Sequence, residues 1–173
     1  MKCHWRIVIN ALYLAQQTGA APRESQAAAP CHDLLNALEY LGEMQAYLQG
    51  MLIGGVPFSD TKTQSLVQQV YTAMDEAVTK IKTLRKSDIC AAEVAASIGQ
   101  QSFRKRQTSP SPCHVLDGVL VQLNEVEVLA EQLATEQVSS YGLDVPRIKQ
   151  RVQEAEDKVA QAEAVFKQSG DCV

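Results

Sequence analysis

The chain has 173 residues, enough for one domain or two very small ones, and a formal net charge of -4 that argues against a nucleic-acid binder. Aromatic residues make up only 5% of it, while Ala, Leu, Val and Gln recur, a composition that favours helices over strands. No apolar run is long enough to cross a bilayer, so no transmembrane span is expected.

Residues 1–21 read as a secretory signal peptide. Lys2 and Arg6 make a positive start, Ile7 to Ala15 a short apolar core, and Gly19-Ala20-Ala21 offers small residues for cleavage. Cys3 would leave with it, and the mature chain would carry an even four cysteines, the pattern of an oxidising compartment. A secreted, extracellular protein is therefore expected, with cell-wall association as one destination. Residues 22–30 form a flexible lead-in.

Two similar stretches follow. Pro30-Cys31-His32 opens a run that closes at Cys90, and Pro112-Cys113-His114 opens one that closes at Cys172. The second copy lies 82 residues after the first, and both hold their cysteines 59 positions apart. Without a gap, Leu34/Leu116, Leu38/Leu120, Leu41/Leu123, Glu43/Glu125, Val56/Val138, Gln68/Gln150, Val70/Val152, Ala73/Ala155, Asp75/Asp157 and Ser87/Ser169 coincide. Such a register over both cysteines and a leucine ladder indicates a duplication: repeat 1 over 31–90, repeat 2 over 113–173.

In repeat 1 a helix is predicted from about Asp33 to Leu52, with Leu34, Leu38, Leu41, Met44, Leu48 and Met51 along one stripe. Gly54-Gly55-Val56-Pro57 stops it. Ser59 or Asp60 caps a second helix running to about Lys86, with Leu66, Val70, Ala73 or Met74, Ala77, Ile81 and Leu84 as its stripe. The short turn makes an antiparallel hairpin the default. Cys31 and Cys90 then meet at its open end.

Residues 91–112 hold a weakly helical piece and an exposed linker, Arg104-Lys105-Arg106 followed by a Ser/Pro-rich stretch. Lys105-Arg106 is a candidate processing site for a kexin-like protease, with a solvated basic patch as the plainer reading. In repeat 2, Leu116, Leu120, Leu123, Val126, Ala130 and Leu133 line a third helix, and Ser139 to Gly142 makes the turn. Asp144 and Pro146 open a fourth helix carrying Ile148, Val152, Ala155, Val159, Ala162 and Phe166, and Gly170 ends it.

A lone hairpin leaves its stripe bare, so each copy needs a partner, and the other copy is the nearest one. The expected fold is all-α: two tandem disulfide-closed antiparallel helical hairpins packed as a four-helix bundle. A disulfide closing a loop of about 60 residues is worth about 3–4 kcal/mol in the chain-entropy account. The rival pairing, Cys31–Cys113 with Cys90–Cys172, would staple the copies to each other.

Candidate chemistry is sparse. His32 and His114 are equivalent and adjacent to cysteines, which raises a metal site; polar helix-entry residues inherited through duplication explain them more simply. No nucleophile elbow, His-Glu-x-x-His or phosphate-cradling loop is present, so no catalytic residue, metal or cofactor is assigned and no enzyme is expected. Glu154, Glu156 and Asp157 beside Lys149, Arg151 and Lys158 read as a solvated outer face with local ion pairs. Met44, Met51, Leu52, Ile53, Tyr40 and Tyr47 suit either an ordinary core or an adaptable lipid-binding interior.

Leu-Val-Gln-Gln-Val-Tyr-Thr-Ala-Met-Asp-Glu-Ala-Val (66–78), after a helix ending in Gly-Gly-Val-Pro (54–57), resembles the fungal hydrophobic surface-binding and cell-wall galactomannoprotein family. That resemblance, mainly over residues 34–84, implies a secreted helical bundle that binds lipids or apolar surfaces. The function expected is a non-catalytic, effector-like or surface protein that binds a partner protein or an apolar ligand. The alternatives are a precursor cut after Arg106 into two separate hairpin peptides, and a metal-dependent activity at His32 and His114.

Overall fold

The structure, a computed structural model, describes residues 30–54, 60–87, 89–90, 110–136 and 142–172. The described residues form four helices and no strands: α1 (Pro30–Ile53), α2 (Thr61–Arg85), α3 (Pro112–Thr135) and α4 (Val145–Ser169). The expected signal segment 1–21, most of the expected lead-in, Lys105, Arg106 and the expected turn residues 55–59 and 137–141 lie outside the described residues.

Each boundary has a local cause. α1 starts three residues before the expected Asp33, because Pro30 has the φ of a first helical residue and no N–H to leave unpaired. Asp60 caps α2: its carboxylate accepts the Thr63 N–H at 2.6 Å and the Thr63 hydroxyl at 2.9 Å, and those bonds hold its acidity below the ordinary value. Asp144 does the same for α4 through the Arg147 N–H at 3.0 Å. Gly170 ends α4 in the left-handed region (φ 78°), letting the Asp171 N–H reach the Phe166 carbonyl at 3.0 Å.

The helices pack into a bundle in which α1 touches α2 and α4, and α3 touches α2 and α4. Polar contacts fix the direction of the second pairing, α2 against α3. Lys62 meets Glu136, Glu76 accepts from Gln122, and Lys80 donates to the Gly118 carbonyl at 3.3 Å. Fourteen residues forward along α2 is fourteen back along α3, and four more is four more. The two helices are antiparallel in uninterrupted register.

Burial follows the 82-residue offset at most core positions; the exceptions include Val67, Met74 and Val78, buried on α2 where α4 has Lys149, Glu156 and Ala160. Leu34 and Leu116, Ala37 and Val119, Leu41 and Leu123, Met44 and Val126, and Leu48 and Ala130 are all buried. So are Leu66 and Ile148, Val70 and Val152, Ala73 and Ala155, Ala77 and Val159, and Leu84 and Phe166. The predicted stripes of α2 and α4 are buried throughout; on α1 and α3, Leu38, Met51 and Leu120 are only partly covered. The four buried polar residues, Asp33, Thr63, Gln122 and Glu163, stand where the other half has Val115, Val145, Tyr40 and Ile81.

Candidate functional site

The cysteines come together in the pairing that closes each half on itself. Cys31 and Cys90 lie at disulfide distance with Cα atoms 5.6 Å apart, as do Cys113 and Cys172 at 5.4 Å. Both separations are ordinary for cystine. Each pair joins the start of one helix to the chain just past the end of its neighbour, at the same end of the bundle.

His32 and His114 are both exposed on the first turns of α1 and α3. The His32 ring shares a 3.3 Å hydrogen bond with the Asn36 amide one turn on. Among the described residues no group of three or more His, Cys, Asp or Glu side chains is placed to hold a metal ion. The neighbouring sulfurs are taken up in cysteine pairs, so the Cys-His doublets supply no thiolates.

The adaptable residues of α1 have different fates. Met44 is fully buried and Met51 and Leu52 are half-buried, whereas Ile53 is 76% exposed at the helix end. Tyr40 lies under the Arg151 guanidinium, 5.4 Å from the ring centre. Tyr47 donates to the Gly142 carbonyl and accepts the Asp144 N–H, both at 2.8 Å. These two tyrosines lock α1 to the entry of α4.

The charged face expected on α4 is not a purely local one. Arg151 and Glu154 do pair within the helix at 2.7 Å, which keeps Glu154 more acidic than usual. But Arg147 and Arg151 both reach Glu43 of α1, Lys158 reaches Asp33 of α1, and Lys149 reaches Glu131 of α3 at 3.0 Å. The reason is position: α4 lies between α1 and α3, so both flanks of its polar face adjoin a neighbouring helix. Glu156 is the exception. Partial burial, Glu127 of α3 and the adjacent Asp157 push its carboxyl up to about 7.

On the outside, Val121 (69% exposed) and Val128 (48%) stand two turns apart on α3, and Leu35 is exposed on α1. No described helix is long and apolar enough to cross a membrane. No protein-family model matches the chain, and neither a curated protein nor a solved structure matches it.

Proposed function

We propose that this chain is an exported binding scaffold: two tandem hairpins, each clasped by its own disulfide, packed face to face as a four-helix bundle and acting through their outer surface rather than by chemistry. The observation that carries this reading is the pair of cystine clasps, Cys31 with Cys90 and Cys113 with Cys172, at one end of the bundle. Such bonds persist in oxidising compartments and stabilise small helical domains poor in aromatics. The exposed Val121, Val128 and Leu35 offer apolar contact points for a partner protein or an apolar surface, the function that the resemblance of residues 34–84 to the fungal hydrophobic surface-binding family would imply.

Peptide mapping of secreted, unreduced protein tests the first half of this proposal. It should return the 31–90 and 113–172 links and an N-terminus near residue 22; free thiols would sink it. Adsorption of the same material to octyl-coated beads tests the second half. The wild type should be retained and the Val121→Asp/Val128→Asp variant should pass through. Equal retention of both would remove that face from the binding reading.

A further inference from the structure

We infer that the polar contacts between the two halves form a pairing code: residues 30–90 are built to associate with residues 110–172 and not with a second copy of themselves. This rests on the reading of the chain as two clasped hairpins and goes beyond it, because that reading alone leaves the halves interchangeable.

The apolar stripes do little to choose between partners. Most of their buried positions coincide at the 82-residue offset, the exceptions including Val67, Met74 and Val78 of α2, where α4 has Lys149, Glu156 and Ala160. The choice falls to the polar residues, which differ. At the α1/α4 contact Asp33 pairs with Lys158 at 3.2 Å, its side chain almost wholly buried, and Glu43 pairs with Arg147 and Arg151. At the α2/α3 contact Lys62 pairs with Glu136 and Gln122 donates to Glu76.

Two copies of the first half, docked in the same geometry, would replace each α4 residue by the one 82 positions earlier. Lys158 becomes Glu76, Arg147 becomes Ser65 and Arg151 becomes Gln69. The buried Asp33 would then have a second carboxylate in the place of Lys158, with the Lys80 amine, which lies on Gly118 in the intact chain, displaced one turn on at Asn36, and Glu43 would lose both cations. A buried carboxylate that exchanges a paired cation for a like charge is disfavoured.

Two copies of the second half fare better. Glu125 takes the place of Glu43 and keeps the arginines, but Lys62 becomes Asp144, which would face Glu136, and Val115 takes the place of Asp33. That asymmetry does not weaken the code. The halves are present in equal number, so disfavouring the first homotypic pair is enough to commit every first half to a second half.

The test uses the full chain with residues 104–109 replaced by a specific protease site. After folding, the linker is cut, the halves are unfolded in urea with disulfides intact, refolded together and weighed by native mass spectrometry. The mixed pair should exceed the first-half homodimer by about twentyfold or more, against about twofold for indifferent pairing. Glu76→Lys, which would let Asp33 find a cation in a like pair, should raise that homodimer at least about tenfold. Asp33→Asn, which leaves Glu76 and its bond to Gln122 in place, should also raise it. A mixture near indifferent proportions, failure of the halves to re-pair, or homodimer levels unmoved by both substitutions would overturn the code. Halves still covalently joined after the cut would instead overturn the hairpin reading beneath it.

Discussion

The phenol oxygen of Tyr47 lies 2.8 Å from the backbone nitrogen of Asp144, the residue that caps α4, and donates its own proton to the Gly142 carbonyl. One side chain from the last two turns of α1 thus satisfies two backbone groups where the chain enters α4. The equivalent position in the other half is Leu129, which has no hydroxyl to offer. Tyr47→Phe keeps the ring and removes both bonds, and should cost about 1–2 kcal/mol in urea unfolding. A change under a few tenths of a kcal/mol would mean that water replaces the hydroxyl without loss.

Asp33 is 1% exposed, and Lys158 is its cationic partner at 3.2 Å. Lys158→Met should therefore destabilise by about 2–3 kcal/mol, chiefly through the stranded carboxylate. Adding Asp33→Val, the residue the other half carries as Val115, should restore most of that loss. The non-additivity of the double mutant is the readout, taken from the same urea titrations.

Glu156 gives the stability a pH dependence of definite sign. Its ordinary value is 4.5 and the fold raises it to about 7, so the folded state holds this proton more tightly than the unfolded chain. Its contribution is fully present below about 4.5 and is lost as pH rises to about 7. Screening at a side chain still partly open to solvent keeps the effect to about 1 kcal/mol. Glu156→Gln should flatten the profile across that window and raise stability at pH 8, measured by thermal melts in matched ionic strength.

Gly42 sits in the middle of α1, and a Cβ added there would meet nothing within 4 Å. Gly42→Ala should stabilise by about 0.5–1 kcal/mol through helix propensity alone. A loss of stability would mean that the added methyl group is not accommodated there without a shift of its neighbours.

Removing one clasp tests the cysteine pairing directly. Cys31→Ser with Cys90→Ser should cost about 2–5 kcal/mol and leave the 113–172 link intact. In the single variants, Cys31→Ser should free Cys90 alone and Cys90→Ser should free Cys31 alone; a free Cys113 or Cys172 in either one means the pairing is wrong.

Much of this architecture was written in one-dimensional patterns. The spacing of Leu66, Val70, Ala77, Ile81 and Leu84, and of Ile148, Val152, Val159 and Phe166, identified helices and their buried faces, because a helix returns to the same side every three or four residues. Asp60, Asp144 and Gly170 marked ends, because capping is a contact between near neighbours in sequence. The equal spacing of the cysteines suggested which would meet.

The remainder depended on which helices became neighbours. Glu43, Lys158, Glu156 and Tyr47 carried no local sign of their roles. Their counterparts Arg147, Asp33 and Glu127 lie on other helices and Asp144 at the entry of one, and the position of α4 between α1 and α3 makes two seams of its polar face. Periodicity records how far a residue stands from the core; it holds no term for what faces it across a helix interface. Which helices the chain forms was therefore set along its length, while its charged pairings were decided only by packing.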